Sequence, residues 1–147
     1  MKRSLCAFGA VLLVSGSTVL AHEGATGIVK QRMDEMEQIG RTMKRINDRL
    51  KSKRGLAEIA QDAEEIRAAA GRIPSLFPKG SGGGHSDARP GVWERWSEFV
   101  AATRALEVEA EKLSATARLG PDAAIAAQFR VTTRVCSGCH DVFRSKR

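Results

Sequence analysis

The stretch Cys136-Ser137-Gly138-Cys139-His140 lies seven residues before the C-terminus, and the rest of the chain is organised around it. The pattern C-x-x-C-H is typical of covalent c-type haem attachment. Two cysteines three positions apart on a helix lie on one face, so both thiols can add to the vinyl groups of one porphyrin. The histidine that follows can bind the iron as its proximal ligand. We therefore predict one covalent haem c, attached to Cys136 and Cys139 and ligated by His140.

Other uses of a C-x-x-C pair need more than this sequence offers. A thioredoxin-like dithiol belongs in a βαβ context, and a structural zinc site needs four nitrogen or sulfur ligands. The chain has three cysteines and three histidines in 147 residues, and no stretch alternates with the period of a strand. A haem-free helical bundle that uses the two cysteines for a disulfide or a metal remains the alternative from another class.

The first 21 residues resemble a secretory signal peptide. Lys2 and Arg3 give a basic start, Leu5 to Leu20 is apolar and uncharged, and small residues precede a cleavage point after Ala21. The apolar run is short for a membrane span, so we predict no stable membrane insertion. We expect one mature domain over residues 22–147 and a periplasmic location, because c-type haem is attached after export.

Charge limits the partners of the chain. The formal net charge is +7, but no basic stripe is interleaved with aromatic residues, and only 5% of the residues are aromatic. Nucleic acid is therefore not expected as a partner. A moderate positive charge can steer acidic proteins, and we predict redox partner proteins.

Four amphipathic helices are predicted in the mature chain. In each helix the apolar residues recur at alternating intervals of three and four positions, which is typical of helix bundles. The first runs from about Thr26 to Lys51, and its seam holds Val29, Met36, Met43, Leu50, Ile39 and Ile46. The second runs from about Leu56 to Ile73, where Pro74 stops it. The charged stretch 62–67 on its outer face, with Asp62, Glu64, Glu65 and Arg67, is expected to be solvated.

A loop without helix or strand is expected from Pro74 to Arg89, because this stretch is rich in glycine. The third helix is predicted from Pro90 to Gly120, with Trp93, Trp96 and Phe99 on its inner face. The fourth follows Pro121 and places the cysteines on its core-facing stripe. The predicted fold is all-α, an antiparallel up-down four-helix bundle with haem bound near the C-terminal helix.

The mature chain resembles the class II c-type cytochromes, which are cytochrome c′ and its low-spin relatives. The similarity rests on the C-terminal motif with Phe143 and Arg144, on the first-helix pattern of Arg32, Met36, Gly40 and Met43, and on Pro90 and Trp93 at the start of the third helix. The resemblance implies a monohaem protein with a C-terminal haem motif.

Met36 occupies the position that this resemblance assigns to the distal side of the haem. A thioether there can bind the iron and raise its reduction potential, because a soft donor favours Fe(II). We predict that Met36 is the distal ligand. The alternative is that Met36 only fills the core, as Met43 is expected to do. Met33 lies off the seam and is a poorer candidate.

Arg32 and Ser86 are the further haem-binding residues that the resemblance implies. Arg32 takes an otherwise apolar seam position, where a cation needs a partner or an exit to water. A haem propionate would supply the carboxylate, and snorkelling is the alternative. Ser86 either hydrogen-bonds a propionate or serves as a cap or turn residue.

Two more residues are assigned to the surroundings of the haem. The resemblance places Arg144 beside the proximal histidine, while a cation there can also stabilise the end of the helix. His85, in the glycine-rich loop, is expected to be exposed to solvent.

The sequence therefore predicts a periplasmic electron-transfer protein with His140 and Met36 as iron ligands, and not an enzyme. The main alternative is a five-coordinate cytochrome c′ that binds NO or CO. Whether two copies pair as a homodimer through their first helices is left open.

Overall fold

The computed structural model describes residues 25–146, and the predicted signal peptide lies outside the described residues. Four long helices form the bundle: α1 (Gly27–Ser52), α2 (Ile59–Arg72), α4 (Trp96–Leu119) and α5 (Asp122–Phe143). A short helix, α3 (Gly91–Glu94), precedes α4. The predicted all-α bundle is confirmed, and within residues 25–146 the only β-type pairing is one isolated bridge.

Helix packing follows the order of the chain. α1 packs on α2, α2 on α4, and α4 on α5, while α1 and α5 have at most a marginal contact with each other. The core consists of aliphatic and aromatic side chains from all four long helices and the segment after α2, with Ile46, Ile59, Ile66 and Leu113 fully buried. α1 and α5, which carry the candidate haem residues, are therefore packed against α2 and α4, respectively.

One face of α1 shows a seven-residue repeat of residues that pack into the core. Ile39 and Ile46 are buried, and Arg32 continues the same line one heptad earlier. The helix ends where Lys53 adopts a left-handed conformation with φ of 53°. Arg49 and Lys51 lie in the last turn, where cations stabilise the negative end of the helix dipole.

The expected solvation of residues 62–67 is wrong for Asp62. This carboxylate is only 4% exposed and pairs with Arg45 at 2.9 Å and with Arg49, both on α1. A buried charge needs such partners, and no periodicity of α2 alone reveals arginines that another helix supplies.

The segment between α2 and α4 also differs from the expectation. Pro74 does not start a structureless loop, because Ile73–Leu76 form a 3-10 turn with the proline in its first turn, where a missing N–H costs nothing. α2 itself ends at Arg72.

The predicted third helix is broken at Arg95, whose φ of −120° and ψ of 49° are not helical. The guanidinium of Arg95 lies 5.1 Å from the centre of the Phe143 ring, and the indole N–H of Trp93 donates to the carbonyl oxygens of Phe77 and Pro78 at 3.1 and 3.0 Å. These tertiary contacts outweigh helix propensity. Trp96, expected on the inner face, is 40% exposed because it begins the helix after this break.

Candidate haem site

Cys136 and Cys139 lie on one side of the last turns of α5, as the spacing predicts. Both are free thiols, are partly buried and pack against the edge of the core. Burial raises the pKa of Cys136, and burial together with the neighbouring thiol raises the pKa of Cys139 to about 11. The two thiols are therefore held in the neutral form beside the apolar core.

His140 follows on the same turn and keeps part of its surface in water. Partial desolvation, followed by the positive charge of Arg144, lowers the pKa of its imidazole. A neutral imidazole is the form that binds a metal ion. Arg144 is exposed, its backbone N–H donates to the His140 carbonyl at 3.0 Å, and its side chain donates to Asp87 at 3.4 Å.

Met36 lies on a second line of α1, seven residues apart from Val29 and Met43. These side chains are half-buried at the edge of the core. On the other flank of α1, Thr42 and Arg45 bond to α2. Helical geometry therefore places the Met36 line on the flank of α1 that points away from α2.

Arg32 is 5% exposed, so the snorkelling alternative is wrong. Its guanidinium donates to the Leu76 carbonyl at 2.9 and 3.0 Å, and to the hydroxyls of Ser81 and Ser86 at 2.7 Å each. The same group lies 4.0 Å from the centre of the Phe77 ring. Burial lowers the pKa of Arg32, since none of these partners is a carboxylate.

Ser86 meets Arg32 directly, so the structure brings the two predicted propionate residues together. Its hydroxyl accepts from Arg32 and also from the backbone N–H of Ala88 at 3.2 Å. The second bond confirms a turn role for Ser86. It begins a short segment, residues 86–89, that we call the strap; it runs from Arg32 to the end of α5.

These residues fit a covalent haem c. The donor set is right, with two thiols and an imidazole on one helix turn. Met36 and Met43 of α1, like Cys136 and Cys139 of α5, are only partly buried against the core, and the two helices make at most a marginal contact. A planar porphyrin between them would bury these side chains, and its propionates would give the buried cation of Arg32 a carboxylate partner.

The other candidate metal ligands of residues 25–146 do not cluster at this site. His85 is exposed, as predicted. Within residues 25–146, no three His, Cys, Asp or Glu side chains are grouped so that they could hold a metal ion directly. The described residues thus offer no ready-made site for the metal alternative.

Two contacts of the site were missed by the sequence analysis. Ser81 binds Arg32, and Arg89 of the strap donates to the carbonyl oxygens of Asp141 and Val142 at 3.1 and 3.3 Å. A serine and an arginine in a polar loop carry no periodic signal, so only the folded chain reveals their partners.

Comparison with known proteins places the whole described bundle in one family. A family model described as cytochrome C′ matches residues 27–144. Cytochrome c′ of Rhodopseudomonas palustris is 30% identical, and the alignment covers 95% of this chain and 93% of that protein. Cytochrome c-554 of Cereibacter sphaeroides is 35% identical over 61% of this chain and 71% of its own length.

Solved structures agree with the architecture. One is cytochrome c prime of Alcaligenes xylosoxidans, crystallised as the nitric oxide complex of a variant. It is 27% identical, superposes with a TM-score of 0.73, and covers 82% of this chain and 94% of its own. No helix of the described residues is long and apolar enough to cross a membrane.

Proposed function

Because the chain belongs to the cytochrome c′ family, whose members carry a single covalent haem c, we propose that it is a periplasmic haem protein whose five-coordinate iron binds a neutral diatomic gas, NO or CO. His140 would bind the iron, and the Met36 line of α1 would form the side on which the gas binds. This replaces the electron carrier with two protein ligands as the leading hypothesis.

The observation that carries this proposal is the likeness to proteins named cytochrome c′ over almost the whole chain. One of these relatives was solved as a nitric oxide complex. The half-buried line of α1 supports the proposal chemically, since Val29, Met36 and Met43 are uncharged. The polarity of the distal side decides which small molecules bind, and an apolar side favours uncharged gases.

Different residues of this chain bind different parts of the cofactor in this proposal. Cys136 and Cys139 anchor it, and His140 provides the protein ligand to the iron. Arg32 and Ser86 pair with the propionates, since they place a buried cation and a hydroxyl side by side at 2.7 Å. When bound, haem c supplies an iron that exchanges one electron and accepts one further ligand.

One-electron transfer with Met36 as the sixth ligand is the second candidate. Its specific support is the position of Met36 on the half-buried line that faces away from α2. A bound thioether would close the gas site and raise the reduction potential. In this case the exported protein would act through redox partner proteins.

The visible spectrum of the reduced protein, with and without CO, separates the two candidates. Broad high-spin bands that change at once on adding CO are expected from an open iron. Sharp low-spin bands that CO leaves unchanged would contradict gas binding and favour Met36 ligation. The variant Met36→Leu should behave like the wild type in the first case and convert to the high-spin form in the second.

A further inference from the structure

The strap pairs with the tail that follows α5. The backbone N–H of Arg89 donates to the Phe143 carbonyl at 2.9 Å, and the N–H of Ser145 donates to the Asp87 carbonyl at 2.8 Å. Between them lies the isolated antiparallel bridge of Ala88 with Arg144. The end of the haem-bearing helix is therefore fixed to a segment that is distant in sequence.

Arg89 supplies hydrogen-bond donors to the C-terminal end of α5. The last four carbonyl groups of a helix have no donor within the helix. In α5 the first of these, from His140, accepts from the N–H of Arg144. The other three accept from Arg89: the Phe143 carbonyl from its backbone, and the two preceding carbonyls from its guanidinium at 3.1 and 3.3 Å.

The guanidinium also places a positive charge at the negative end of the helix dipole. Charged donors make stronger hydrogen bonds than neutral ones. The carbonyls that Arg89 holds belong to the two residues directly after His140. Fraying of this turn would let the imidazole change its orientation, because its own backbone is part of the turn.

We propose that Arg89 is a positioning residue for His140, which acts through the last carbonyls of α5 to fix the orientation of the proximal imidazole. It needs no contact with the haem. The inference rests on haem ligation by His140 and not on which ligand, if any, occupies the other face.

The other end of the strap is bound to α1. Ser86 accepts from Arg32 of α1 at 2.7 Å, three residues before Arg89. α1 and α5 make at most a marginal direct contact, so the strap connects the two helices through the hydrogen bonds that it makes at each of its ends. It sets the proximal turn relative to the helix that carries Met36.

The test compares Arg89→Met with its parent in a Met36→Leu background, where the iron has no thioether ligand whichever function is correct. Resonance Raman spectroscopy of the reduced protein reports the iron–histidine stretching band. We expect this band to broaden in Arg89→Met, since the imidazole samples more orientations. Amide hydrogen exchange at Phe143 and Arg144 should accelerate by about tenfold.

Arg89→Lys should restore a narrow band in part, because a lysine keeps the charge and three donors but not the guanidinium geometry. The matched control is Arg104→Met on α4, which removes an arginine paired with Glu107 on an exposed surface; it should change neither signal. An unchanged iron–histidine band in Arg89→Met overturns the proposal, even if the protein unfolds at a lower temperature. A wild type that fails to bind CO overturns only the gas-binding function.

Discussion

Two lines of side chains run along α1 with the same seven-residue spacing, yet they do different work. Arg32, Ile39 and Ile46 form the first line and are buried. Val29, Met36 and Met43 form the second line, one turn away on the flank opposite α2, and stay half-buried. The first line packs into the core, and the second is the line that we propose faces the haem. Under this proposal, the same sequence period serves packing on one line and a cofactor on the other.

The largest effect should come from removing the two cysteines that we propose attach the haem. In the double variant Cys136→Ala with Cys139→Ala, both covalent links are lost, so the protein should lose its haem completely on acid–acetone treatment. Intact mass spectrometry after that treatment measures the result. Ser137→Ala, between the two cysteines, is the control and should keep the full haem mass. Haem that survives in the double variant would disprove the attachment site.

On the first line, truncation should cost stability without changing the spectrum. Ile46 is fully buried, and Ile46→Ala should lower the free energy of unfolding by about 2–5 kcal/mol. Chemical denaturation of the haem-loaded protein measures this. The visible spectrum of the folded variant should match the wild type, and a changed spin state would contradict the division between the lines.

Arg32 is the one charged residue of the first line, and its guanidinium is bound by Leu76, Ser81 and Ser86. Arg32→Met would leave the partly buried carbonyl of Leu76 and the Ser81 hydroxyl without the arginine donor. The expected loss is about 1–3 kcal/mol in unfolding free energy. Arg41→Met, which breaks an exposed pair with Glu37, is the control and should cost less than about 1 kcal/mol. An equal loss in both variants would argue against the buried role.

On the second line, a change of shape should barely affect stability. Met36→Leu conserves volume in a half-buried position and should cost less than about 1.5 kcal/mol. The same denaturation experiment used for Ile46→Ala measures it. A loss as large as that of Ile46→Ala would mean that Met36 belongs to the packing line.

Much of this architecture could be predicted from the sequence, because the helix periods and the C-x-x-C-H motif are local patterns. The break at Arg95 was not predictable, since it depends on contacts with Phe143 and with the residues that follow α2. The burial of Asp62 likewise depends on arginines from another helix. At the site, the attachment residues follow from spacing alone. The roles of Ser81 and Arg89 do not, because loop residues acquire them only through long-range hydrogen bonds.

The central claim is that the Met36 line, and not the Ile46 line, faces the iron. Flash photolysis of the CO complex measures it most directly, through the rate at which CO rebinds in Met36→Ala and in Ile46→Val. We expect the rate to change by on the order of tenfold or more in Met36→Ala, because this substitution shortens the side chain next to the open face. Ile46→Val should rebind CO like the wild type. An unchanged rate in Met36→Ala, with a changed rate in Ile46→Val, would contradict the assignment.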